Sequence, residues 1–167
     1  SQFSAMVDLD GVLHVRSKGT AIELTEGTKH GQFSASVAHI KSVQNQLTPG
    51  AIYRFEAMSR PKHNVLAYER VPAGNAVLYD AFNGGFHAAP STLWHVAQGL
   101  GVECVQTIFE GQCTAENLQE FLKATPQLGG ALIEGVVIKN YALNLKGKYV
   151  APRFQEIMHN RPARLPK

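Results

Sequence analysis

Phe3, Ala5, Val7 and Leu9 take every second position at the start of the chain, Asp10-Gly11 follows as a tight-turn pair, and residues 12–16 resume the alternation. A period of two places alternate side chains on one face, so this opening predicts a β-hairpin. The period then lengthens. Phe33, Val37, Ile40, Val43 and Leu47 recur at helical spacing, and Pro49-Gly50 ends that helix. Residues 52–58 predict a strand, 59–75 a polar loop, and 76–82 a second apolar strand. Ser91 is expected to cap a helix that turns Leu93, Trp94, Val96 and Leu100 into the core, and 102–109 predicts another strand. Thr114 is expected to cap a helix through Leu118, Phe121 and Leu122 that stops near Thr125-Pro126. Two hydrophobic strands follow, Gly135–Asn140 and 141–145, and an amphipathic helix opens near Pro152. Strands outnumber helices and helices separate the strand pairs, which predicts one α+β domain over residues 1–167.

Composition narrows the class. A 167-residue chain can bury about two-thirds of its unfolded surface, and 44% hydrophobic with 17% charged residues excludes wholesale disorder. No run approaches the ~18 apolar residues of a membrane span. Cys104 and Cys113 lie in no metal-like cluster, which argues against a disulfide scaffold or zinc module and for a reduced, soluble, cytoplasmic protein without membrane partners. The net charge of +3 is uneven: residues 1–133 hold nine basic and eleven acidic side chains, and residues 134–167 hold seven basic and two acidic. A basic end can meet phosphate or nucleic acid, and equally suits a solvated Arg-rich helix and tail.

Candidate chemistry concentrates late in the chain. In Glu134-Gly135-Val136-Val137-Ile138-Lys139 a carboxylate stands at the mouth of a β-branched strand, where it can hold a hard cation on a rigid base. Lys146-Gly147-Lys148 then puts two ammonium groups on one side of an extended segment, able to neutralise a phosphoryl group.

Together these segments resemble motifs IV and V of the covalent nucleotidyltransferases, the superfamily of ATP-dependent RNA and DNA ligases and mRNA capping enzymes. Three further segments fit in order. Arg16-Ser17-Lys18-Gly19 resembles motif Ia, and Tyr53-Arg54-Phe55-Glu56-Ala57 resembles motif III, with Arg-Phe in place of the commoner small residue and Gly. Val77-Leu78-Tyr79-Asp80 resembles motif IIIa. Within the superfamily, the stretch from Arg60-Pro61-Lys62-His63 to Tyr68-Glu69-Arg70-Val71-Pro72, and Lys148-Tyr149-Val150 followed by Phe154-Gln155-Glu156, are most similar to the ATP-dependent RNA ligases. Five ordered motifs cover nearly the whole chain, and any one alone would be weak.

The resemblance implies a nucleotidyltransferase (ATP-grasp-like ligase adenylation) fold with antiparallel sheets flanking an ATP cleft. It implies ATP and Mg²⁺ (or Mn²⁺) as cofactors, and RNA 5′-phosphate and 3′-hydroxyl ends as partners, joined through lysyl-AMP and RNA-adenylate intermediates. Residue by residue, it makes Glu134 the metal ligand and gives Glu134, Lys146 and Lys148 catalytic roles. Arg16, Lys18, Glu56, Tyr79, Lys139, Lys146 and Lys148 bind nucleotide, Glu56 through a ribose hydroxyl and Tyr79 by stacking on adenine. Gln2, Arg60, Lys62 and His63 face RNA.

One departure is chemical. The family's nucleophile lies in Lys-x-Asp-Gly, and Asp8-Leu9-Asp10-Gly11 carries Asp where that Lys belongs, too close to Arg16 to serve. We read it as the hairpin turn, and the resemblance then implies a Lys four residues upstream of Ser1, with an additional C-terminal or partner domain allowed. Alternatives are a DNA ligase, a capping-type enzyme, or a catalytically inactive nucleotide- or RNA-binding module. His63 and His87 are expected as solvated loop histidines, Cys104 and Cys113 as structural residues.

Overall fold

Alternation builds the sheet. In β1 (Gln2–Val7) Phe3, Ala5 and Val7 are buried, in β2 (Leu13–Ser17) Leu13 and Val15, and in β4 (Ile52–Ala57) Tyr53, Phe55 and Ala57. The computed structural model describes residues 1–25, 30–63, 66–130 and 132–154. The remaining strands are β3 (Thr20–Ile22), β5 (Lys62–His63), β6 (Leu66–Ala67), β7 (Ala76–Asn83), β8 (Phe86–His87), β9 (Glu103–Cys104), β10 (Gly135–Asn140) and β11 (Leu145–Val150).

Seven strands form one sheet in the order β3-β2-β1-β4-β7-β8, with β9 added in parallel to the other end of β7. All other pairings are antiparallel, and β5–β6 and β10–β11 are separate two-stranded ladders. The protein is therefore α+β, as the pattern predicts. Helices α1 (Ser34–Ser42) and α2 (Pro90–Gly99) bring Val37, Ile40, Leu93 and Ala97 to the core. Phe3 and Phe55 stack at 5.0 Å between ring centroids. Burial of a large apolar side chain such as Phe55 stabilises by about 1.5–3 kcal/mol.

The helix expected through Leu47 ends at Ser42, and a 3₁₀ turn over Gln44–Gln46 takes the place of its last turn. Four further expectations need correction. The strand at 102–109 shrinks to Glu103–Cys104, because only the end of β7 offers a free edge; Val105, Ile108 and Phe109 are exposed. Residues 141–144 form a turn, not a strand: the Asn140 side chain accepts from the Leu143 amide and Asn144 takes φ 51°, so the return strand is Leu145–Val150. Helix α2 starts with Pro90 after Ala89 and has no side-chain cap, so Ser91 lies inside its first turn. Trp94 is 50% exposed, since Leu93 and Ala97 already fill the buried stripe. Thr114 does cap α3 (Ala115–Phe121) in a capping box with Asn117. Residues 152–154 begin the predicted last helix, whose continuation lies outside the described residues. Among the described residues no helix is long and apolar enough to cross a membrane.

Candidate functional site

Positions between the core residues of each strand point to the sheet's other face, and the register lines them up. Arg16 on β2 pairs with Ser4 on β1, Ser4 with Arg54 on β4, and Arg54 with Asp80 on β7. In a second row Gln2 pairs with Glu56, and Glu56 with Val77. A register shift at Arg54/Phe55 leaves Tyr79 as the extra, bulged residue on β7. Tyr79 is half-buried, and burial pushes its phenol pKa up. Glu56 pairs with the Ser1 ammonium. Lys18 stands exposed in the β2–β3 turn, where Gly19 at φ +81° supplies the left-handed position.

The hairpin β10–β11 carries the second group. Lys139 pairs with Lys146 and Val137 with Lys148, so three ammonium-bearing side chains share one side of the ladder. Lys148 Nζ donates to Glu134 Oε1 at 2.7 Å, so the candidate phosphate ligand and the candidate metal ligand neutralise one another. Gly135 is required here, because a Cβ would collide with the Tyr149 carbonyl oxygen across the ladder. Lys146 is exposed and has no hydrogen bond or ion pair among the described residues.

A polar hub joins hairpin to sheet. Lys139 Nζ donates to the Tyr79 carbonyl at 2.7 Å and lies 3.5 Å from Asp80 Oδ1. The Asp80 side chain, 5% exposed, also accepts from Arg54 Nη1 at 2.5 Å and His87 Nδ1 at 2.9 Å. Burial opposes ionisation of Asp80, but the His87 hydrogen bond, the Lys139 charge and the Arg54 hydrogen bond outweigh it and hold the pKa below the ordinary value. Tyr68 reports a second junction: its pKa is raised by burial and then by the negative charges of Glu134 and Glu56, which therefore both lie near one phenol.

The sequence reading misses Arg54, Asp80 and His87 as a unit. The signal was a carboxylate inside the apolar run Ala76-Val77-Leu78-Tyr79-Asp80-Ala81-Phe82, which must find partners once buried. His87 is thus a strand residue bound to Asp80, not a solvated loop histidine. Asp8-Leu9-Asp10-Gly11 is the hairpin turn, with the Asp8 carboxylate accepting from the Asp10 and Val12 amides.

The loop 60–72 divides in two. Its second half is scaffold: Glu69 N donates to Leu128 O, and Arg70 forks onto Glu103, which is bonded further by Gln127 and the Ala73 amide. The Arg70 hydrogen bond holds the Glu103 carboxyl below its ordinary pKa against burial. Arg70 is therefore engaged by Glu103, with about half of its side chain still exposed. Arg60 and Lys62 are exposed in the first half, and the side chain of His63 lies outside the described residues, as do Gln155 and Glu156.

Among the described residues no three His, Cys, Asp or Glu form a metal-ligating group. Glu134 alone is one carboxylate donor, so a hard cation such as Mg²⁺ could be held there only with its other positions filled by ligands from outside the protein. Searches against protein-family models, curated proteins and solved structures return no match.

Proposed function

We propose that this chain is the nucleotide-binding part of an ATP-dependent RNA ligase. The observation that carries the reading is convergence: Arg16 and Glu56 lie on one sheet face by register, Tyr79 bulges from β7 near Arg54 and Glu56, and the hairpin bearing Glu134, Lys146 and Lys148 reaches β7 through Lys139. These residues come from five segments whose order matches the family's motifs. The fold proposed with it is the nucleotidyltransferase fold.

In the proposed reaction, the neutral Nζ of a Lys-x-Asp-Gly lysine, a motif residues 1–167 do not contain, attacks the α-phosphorus of ATP. A P–N bond forms, the bond to the pyrophosphate oxygen breaks, and the ammonium proton is lost to solvent. Lys146 and Lys148 supply positive charge that lowers the amine's pKa and offsets the charge on the departing pyrophosphate. Tyr79 offers its ring to adenine, Glu56 accepts from a ribose hydroxyl, and Arg16 and Lys18 reach the sugar or phosphates. Glu134 would hold Mg²⁺, whose contribution is neutralisation of phosphate charge. An RNA 5′-phosphate oxygen then attacks the adenylate phosphorus, the P–N bond breaks and the lysine leaves as an amine with a proton from solvent. A 3′-hydroxyl next bonds to the RNA 5′-phosphorus, its proton goes to solvent and AMP departs. Gln2, Arg60, Lys62 and His63 are assigned to the RNA, and a cytoplasmic location accompanies the reading.

A chain carrying Lys-x-Asp-Gly directly before Ser1 should become labelled by ATP marked at the α-phosphate, with Mg²⁺, and pass the label to 5′-phosphorylated RNA. Tight ATP binding without label would favour the inactive binding module. Absence of both would overturn the assignment.

A further inference from the structure

An open cleft of about 290 Å³ lies between the β7–β8 turn and the β10–β11 turn, away from the Glu134–Lys148 end of the hairpin. Its floor is the Asp80 network, and His87 reaches it with Nδ1 already bonded to Asp80. Phe86 lines one wall and is 80% exposed. Tyr141 and Leu145, both exposed, line the other, and Lys146, whose ammonium has no partner among the described residues, stands at the rim. Lys139 Nζ lies 6.0 Å from the centroid of the Tyr141 ring, so the buried Asp80 holds Lys139 and Lys139 helps hold Tyr141.

Large aromatic rings exposed beside a lysine ammonium that has no partner among the described residues are poorly explained by packing. They match the requirement of single-stranded nucleic acid, in which bases stack on aromatic side chains while cations follow the phosphates. A volume near the lower end for small-ligand sites suits a single base, not a helix or a large cofactor. A peptide or lipid surface would use the rings but leave Lys146 unmatched, unless it were acidic.

We infer that this cleft is a stacking site for an unpaired base of single-stranded RNA, with Phe86 and Tyr141 as the stacking walls and Lys146 on the adjoining phosphate. The inference rests on the proposed function only for the choice of RNA. Lys146 at the rim and Lys148 in the proposed nucleotide site are two positions apart on one strand, about 6.6 Å along the backbone, so β11 joins the two sites. The site would thereby hold an RNA end close to the nucleotide and favour unpaired over fully duplex ends.

The test is fluorescence anisotropy of a labelled, unstructured ten-nucleotide RNA with the chain and with Phe86→Ala, Phe86→Trp and Tyr141→Ala. Each alanine variant should weaken binding about 5- to 100-fold, and Phe86→Trp should retain it. Thermal melting should be unchanged for the exposed Phe86 variants, which separates stacking from folding. Inorganic polyphosphate should compete less well than RNA of the same charge. Wild-type affinity in both alanine variants, or equal competition by polyphosphate, would overturn the site. ATP binding measured on the same samples distinguishes the two readings: loss of RNA stacking with ATP binding intact strikes only the cleft, and RNA stacking without ATP binding strikes only the ligase assignment.

Discussion

Phe55 in β4 is fully buried, whereas Val137 in β10 is 61% exposed, although the one strand carries and the other directly follows a candidate site carboxylate, Glu56 and Glu134. The difference lies in what each strand is paired and packed with. β4 runs between β1 and β7 under the helices, so its alternate residues are core. β10 pairs only with β11; it buries Val136, and its Lys139 side chain reaches Tyr79 and Asp80 of the sheet. The sheet is thus held by extensive hydrophobic burial, and the hairpin by one buried strand residue together with polar contacts. A rigid floor with a lightly attached, lysine-bearing cover is an arrangement that lets charge be placed around a substrate without disturbing the core.

Breaking the floor should have the largest effect. Phe55→Ala is expected to destabilise the chain by about 3–5 kcal/mol in denaturant titration, and Val137→Ala by less than about 0.5 kcal/mol. Equal losses would show that the hairpin is core after all. Changing the cover should affect chemistry and not folding. Glu134→Ala and Lys148→Ala are each expected to slow adenylylation roughly 10²–10³-fold in a chain carrying the upstream Lys, with an unchanged melting temperature.

The junction should show an intermediate and pH-dependent effect. Asp80→Asn removes charge from three partners and is expected to cost about 1.5–3 kcal/mol near neutral pH. Because the folded-state pKa of Asp80 is depressed, this stability is present above the unfolded pKa and lost as pH falls through the folded one. The gap in melting temperature between wild type and Asp80→Asn should therefore still be present at pH 5 and close below about pH 4. A gap that persists at acid pH would mean that shape, not charge, makes the junction. The smallest effect is assigned to the loop: Lys62→Ala with His63→Ala should leave adenylylation intact and reduce the salt dependence of RNA binding. A drop in both adenylylation and stability would make that half of the loop scaffold as well.

The floor was legible in the chain because strict alternation at Phe3, Ala5 and Val7, and at Tyr53, Phe55 and Ala57, has one physical solution, a half-buried strand. The Thr114 cap was legible because the capping residue and its bonding partners are neighbours in sequence. The turn at 141–144 was not, since Tyr141, Leu143 and Leu145 imitate a strand while Asn140 and Asn144 decide the backbone. The candidate residues could be named individually, yet their convergence depends on register. Nothing local to Asp80 shows that Arg54, His87 and Lys139 will meet it.

The central claim is that sheet face and hairpin enclose one nucleotide. Amide hydrogen exchange of the chain with and without Mg²⁺–ATP tests this most directly. Slower exchange is predicted both around Tyr79 and Asp80 in β7 and across Lys146 to Lys148 in β11, with Phe3 and Phe55 unaffected. Protection confined to one of the two regions, or to neither, would contradict it.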